Sequence, residues 1–284
     1  MKKLSLFIIA LVAFSCSKND SYTSPVVNPP APISGDLVVT TFLPTTNAVW
    51  WKYDTKTSVL TPAPVAPATG ITTDLDQLNV NSDVTVANIP YKLMKTTATT
   101  PTGFYSTMLN NNKLRVDGSS IKLTGNVNFN LGTNSIALNV TDLTIFKENA
   151  VAGTTLSPPQ SGTTPFNPPT TALNFNINYI LKAIASPDLA SLTVGTITYT
   201  NVKVVKLYVN VDAQLIVAPG ITAAALDPQN QDVIVSTQYW VKNIGVVKAD
   251  TAVSYKLSNQ LAGNPSLPLE GSQNILETLN SKSF

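Results

Sequence analysis

The stretch LNFNINYIL at residues 173–181 puts Leu173, Phe175, Ile177, Tyr179 and Leu181 at every second position, with Asn174, Asn176 and Asn178 between them. Successive side chains of an extended chain point to opposite faces, whereas a helix would align residues three and four apart. The spacing therefore predicts a strand with one apolar and one wet face. Val205, Leu207, Val209, Val211, Ala213 and Leu215 repeat the rhythm against Lys206, Tyr208, Asn210, Asp212 and Gln214. Ile136, Leu138 and Val140 do so too, then skip to Leu143 and Ile145, which marks Thr141-Asp142 as a candidate bulge. Strands with a wet side argue for antiparallel pairing, because parallel strands are covered on both faces and read as unbroken apolar runs. The expected fold class is all-β and mainly antiparallel: a single strongly curved sheet, half-barrel or sandwich with few short helices. Asp188–Leu192 and Ile221–Leu226 are the only short helix candidates.

Turn chemistry fits this reading. Asp117-Gly118, between KLRV and SSIKL, and Asn110-Asn111-Asn112, between FYSTML and KLRV, are hairpin signals. Residues 150–171 are rich in Pro, Gly and Thr and too long for a hairpin turn. They read as a long mobile loop between two strands of one domain.

Composition removes whole classes of chemistry. The 284 residues hold no histidine, one cysteine (Cys16) and one arginine (Arg115). That excludes Ser-His-Asp and Cys-His catalysis, metal sites built on His or Cys, and a disulfide within the chain. Charged residues make up 12%, and the 18 basic residues less Lys2 and Lys3 of the leader match the 16 acidic ones. A balanced chain lacks the basic surplus that nucleic acid requires. No GxxxxGK phosphate loop occurs, and neither a cofactor nor a metal is expected.

The amino terminus gives an address. Met1-Lys2-Lys3 is a basic start, and Leu4 to Phe14 is an apolar stretch of about eleven residues, long enough for a secretory signal and too short to span a bilayer. It ends at Ala13-Phe14-Ser15-Cys16, which resembles the lipobox of bacterial lipoproteins. In that family Cys16 carries the acyl chains and becomes the first mature residue, and two or more chains anchor stably. Ser17-Lys18-Asn19-Asp20 resembles the signal by which Bacteroidota send lipoproteins to the outer face of the outer membrane. The expected organisation is a signal peptide at 1–15, a lipidated cysteine with a Pro/Ser/Asn-rich tether at 16–35, and a single antiparallel β domain at 36–284.

Three further segments carry a resemblance. Phe42-Leu43-Pro44 followed by Trp50-Trp51-Lys52-Tyr53-Asp54, then VGTITYTNVKVVKLYV at 194–209, then Tyr239 to Lys248 (YWVKNIGVVK), resemble in order and approximate spacing a family of uncharacterised Bacteroidota outer-membrane lipoproteins. That resemblance implies a LolA-like curved antiparallel sheet, in which a concave face can hold an acyl chain. Asn47 stands where the family's opening motif has glycine.

Candidate binding residues are aromatic. Trp50 and Trp51 are adjacent, so on a strand one points inward and the other outward, where it could stack on a sugar ring or a partner. Trp240 and Tyr239 lie on another predicted strand. Among the acids, Asp74 and Asp76 are two apart and read as solvated loop residues. Glu148, Glu270 and Glu277 are isolated, and no residue is assigned a catalytic role. The expected function is a non-catalytic, membrane-anchored lipoprotein that binds a hydrophobic ligand, a glycan or a partner protein through its sheet face or long loop. A structural or adhesive surface component, and an acid-only glycoside hydrolase using Asp74 or Asp76, are the alternatives.

Overall fold

The computed structural model describes residues 42–61, 71–131, 134–168, 171–262 and 267–284. The lipobox, Cys16 and the tether lie outside them. The strands are β1 (Trp50–Thr61), β2 (Ile71–Val86), β3 (Ile89–Thr96), β4 (Lys113–Asp117), β5 (Ser120–Leu131), β6 (Asn134–Lys147), β7 (Gln160–Phe166), β8 (Phe175–Val194), β9 (Ile197–Ala218), β10 (Ile221–Ala224), β11 (Asn230–Val241), β12 (Gly245–Lys256) and β13 (Glu270–Lys282). They form one antiparallel sheet in the order β6-β5-β4-β3-β2-β1-β13-β12-β11-β9-β8-β7, with β10 paired to β9 alone. The order is two local meanders joined where β1 pairs with β13, so almost every ladder joins neighbours in the chain.

The strand alternation sets which face is packed. Phe175, Ile177, Tyr179, Leu181 and Leu207, Val209, Val211 point inward into one apolar cluster that draws on every large strand. Asn176, Asn178, Asn210 and Asp212 point out. The Phe42-Leu43 segment, the short helix α1 (Phe104–Leu109) and Leu261 of a 3-10 turn at Asn259–Leu261 contribute to the same cluster, so side chains fill the concave face.

The two ends of the sheet, β6 and β7, do not share a ladder. They are stapled by side chains. The Gln160 carboxamide stands in for a peptide group: Thr141 N–H donates to its Oε1 at 2.9 Å, and its Nε2 donates to the Thr141 carbonyl at 2.5 Å. The Tyr179 hydroxyl donates to the Asn139 carbonyl at 3.1 Å, passing over Gly162, where any Cβ would overlap the phenol. The curved sheet is thereby nearly closed. Gln160→Ala is expected to cost only about 1–2 kcal/mol yet to speed hydrogen exchange at Thr141 selectively. Unchanged protection at Thr141 would contradict this account of the seam.

Several local expectations meet the structure directly. The Thr141-Asp142 bulge is present: two residues of β6 oppose Thr124 alone on β5, and Asp142 takes a positive φ of 53°. The β4–β5 hairpin turns at Gly118-Ser119, with Gly118 in the left-handed region. Residues 150–171, in contrast, are not one mobile loop. They contain β7 and an isolated bridge between Thr155 and Ile184, and Leu156 is buried. Pro165 is compatible with β7 because that strand is the sheet's last, and a missing N–H is tolerated on an edge.

FYSTML is α1 rather than a strand, so Asn110–Asn112 joins a helix to β4 and makes no hairpin. Neither predicted helix exists. Asp188–Leu192 lies in β8, where Pro187-Asp188 forms a bulge opposite β9. Ile221–Leu226 supplies β10, folded back on β9 through Gly220. Beyond the Pro187-Asp188 bulge the β8–β9 hairpin covers part of the outer face, packing Leu189, Leu192 and Tyr199 with Val241 and Val247 in a second small cluster.

Candidate functional site

On the outer face a groove of about 330 Å³ crosses β7, β8 and β9 to the start of β11. Register assembles it: Ser161 pairs with Ile180, Thr163 with Asn178, Asn178 with Asp212, and Ile180 with Asn210. Asn230, opposite Asp212 on β11, completes it. The Thr163 hydroxyl lies 2.8 Å from the Asn178 carboxamide oxygen, Gln214 Nε2 donates to Asp212 Oδ1 at 2.7 Å, and Asn210 Nδ2 donates to Asp232 at 3.0 Å. These contacts orient the amides and leave further lone pairs and N–H groups facing solvent. Ile180 is exposed in the lining, while Tyr208, half-buried on the same outward face but outside the groove, lies under the Lys182 ammonium. The groove lining therefore contains amides, hydroxyls, one carboxylate and an apolar patch, and no Lys or Arg.

The only arginine is spent elsewhere. Arg115 holds Asp142 through Nε at 3.0 Å and Nη2 at 2.7 Å, and the Tyr91 hydroxyl donates to the same carboxylate at 2.8 Å. The Arg115 hydrogen bonds hold the Asp142 carboxyl below its ordinary value.

A second polar arrangement lies inside. Asp76 and Glu277 are almost fully buried, on β2 and β13. Asp76 accepts from the amides of Thr102 (3.0 Å) and Gly103 (2.7 Å). Glu277 accepts from the amides of Tyr105 (2.6 Å) and Ser106 (2.9 Å) and from the Ser106 hydroxyl (2.8 Å). The two acids thus pin the entry to α1. A Cβ on Gly103 would overlap the Glu277 carboxylate, so only glycine permits this approach. Burial pushes Glu277 up to about 7 and raises Asp76, with the donated hydrogen bonds opposing in both cases. The expectation that Asp74 and Asp76 are solvated loop acids is corrected. Both belong to β2, and only Asp74 is exposed. Asp76 reads as a surface acid until the loop at 102–103 is folded over it.

The sequence-nominated aromatics do not converge. Trp51 is buried, and its indole donates to the Ile244 carbonyl at 2.6 Å. Trp240 is buried against Phe146, with ring centroids 4.8 Å apart. Trp50 points outward, half-buried, with the Lys52 ammonium over its ring. Tyr239 is half-buried on the outer face within the small cluster under the β8–β9 hairpin, and burial raises its hydroxyl. None of the four lines the outer groove. Asn178, Asn210 and Asp212 are legible as the wet half of two alternating runs, but nothing local to either run reveals which asparagine faces which aspartate, and Ser161, Thr163 and Asn230 lie outside both runs.

These features define a filled antiparallel barrel-like sheet with a polar outer groove. Compared with known proteins, the chain matches no family model, no curated protein and no solved structure.

Proposed function

We propose that the protein is a lipid-anchored, surface-displayed binding protein of a bacterial outer membrane, and that it holds a neutral glycan in the outer groove of β7, β8, β9 and β11. The observation that carries the ligand class is the groove lining: Asn178, Asn210, Asp212 and Asn230 beside Thr163, with no cation. Amides and carboxylates match the donor and acceptor pairs of neighbouring sugar hydroxyls. A site without Lys or Arg gives an acidic sugar or a phosphate nothing to pair with. Ile180, exposed in the lining, offers an apolar surface to a pyranose ring. The filled concave face supports binding outside the sheet in place of an enclosed acyl chain. The anchor rests on Cys16 and the lipobox-like sequence before it, and the Bacteroidota address on Ser17-Lys18-Asn19-Asp20 and the family resemblance.

A glycan array probed with the detergent-solubilised full chain, followed by titration of the best neutral oligosaccharide, tests the binding role. Asn178→Ala and Asp212→Ala should each weaken binding about tenfold, the worth of one hydrogen bond to ligand. Trp50→Ala should leave it unchanged. Binding that is indifferent to both groove variants would move the site elsewhere. In the same cells, a clickable fatty acid should label the wild-type protein and not Cys16→Ala; equal labelling would remove the anchor.

A further inference from the structure

Among the described residues, three buried side-chain polar atoms have no hydrogen-bond partner: both carboxamide atoms of Gln238 and the indole nitrogen of Trp240. Both residues are completely buried, and they stand two apart on β11, hence on the same inward face. Orphaned buried groups are rare and costly, and three of them on neighbouring side chains call for one shared explanation. The residues paired beside Gln238 are apolar. Ala249 pairs with Gln238 on β12, and Val205 pairs with it on β9, followed by Ala185 on β8. Ser236, next along the same face, is already satisfied by the Thr251 hydroxyl at 2.8 Å. Ala249, Val205 and Ala185 carry no polar group that could meet the Gln238 carboxamide.

The chemistry of the three atoms specifies what can meet them. Trp240 Nε1 and Gln238 Nε2 need an acceptor, while Gln238 Oε1 needs a donor. A cation would leave the N–H groups unmet, and an anion would repel the carboxamide oxygen. A hydroxyl serves both. We propose that Gln238 and Trp240 form an internal hydration site, in which ordered water bridges the carboxamide and the indole within the concave face. Water is favoured over a hydroxyl-bearing organic molecule because the three atoms belong to only two neighbouring side chains, within the two to four partners that one buried water or a pair takes.

The test begins with the unmodified full chain. A high-resolution crystal structure should show oxygen density about 2.7–3.2 Å from Trp240 Nε1 and from the Gln238 carboxamide. Oxygen-17 relaxation dispersion should report long-lived internal water. Gln238→Met should lower the unfolding temperature by about 2–4 °C and remove that density. A dry site would overturn the proposal. So would a rise in unfolding temperature in Gln238→Met, since deleting an unsatisfied amide relieves a penalty. Native mass spectrometry showing a small organic molecule that Gln238→Met releases would overturn it in favour of a bound ligand.

Discussion

The protein should unfold at a higher temperature at pH 5 than at pH 8, by roughly 6–12 °C, and Glu277→Gln should remove most of that difference. The sign follows from where Glu277 is buried. In the unfolded chain its carboxyl ionises near 4.5, whereas in the folded chain burial pushes it up to about 7. Between those values the folded state keeps a proton that the unfolded state has shed, so stability falls as pH rises through the window and levels off above it. The interval corresponds to about 3 kcal/mol, and each kcal/mol moves the midpoint about 2–4 °C in a domain of this size. Asp76, also raised by burial, acts in the same direction.

Asp142, Asp117 and Asp83, held low by hydrogen bonds from Arg115, Lys122 and Lys92, act oppositely. Their contribution is present above about pH 4 and is lost as pH falls below it, so stability peaks near pH 4–5. In Glu277→Gln the titration disappears. The amide also turns an N–H₂ toward the Tyr105 or Ser106 donors, so absolute stability drops. Thermal scans at both pH values decide the matter: the same slope in wild type and variant would show that Glu277 does not titrate in this window.

That device also shows where sequence reading stops. Glu277 reads as an isolated acid near the tail, and FYSTML, followed by the Asn110–Asn112 hairpin signal, reads as a strand. In the structure each explains the other. Glu277 meets the amides of Tyr105 and Ser106 across 172 and 171 positions of chain. No local window contains that pairing. Pro165 hides β7 in the same way, since proline argues against a strand until the strand proves to be an edge. Features encoded within a few residues were legible: the alternating faces, the skipped step at Thr141-Asp142, the Gly118 turn, and one inward and one outward tryptophan at Trp50-Trp51. The groove depends on register between residues 15 to 34 positions apart on four strands, which the period-two pattern does not fix beyond the choice of face.

Trp240→Ala should be the most damaging aromatic truncation, at about 3–5 kcal/mol, while Trp50→Ala should stay within about 1 kcal/mol. The contrast comes from their faces. Trp240 sits in a contiguous aromatic series: Phe42 on Phe146 at 4.7 Å, Phe146 on Trp240 at 4.8 Å, Trp240 edge-on to Tyr105 at 6.3 Å, and Tyr105 edge-on to Tyr53 at 5.7 Å. This series joins the Phe42-Leu43 segment, β6, β11, α1 and β1, so removing its middle ring opens a cavity that no single neighbour can fill by moving. Trp50 keeps one side toward water and makes its ring contact with a flexible lysine. Urea titration would report the difference as a lower midpoint for Trp240→Ala at an unchanged slope. A Trp240→Ala protein with the wild-type midpoint and no glycan binding would place that ring at a binding surface, which its burial between Phe146 and Tyr105 forbids.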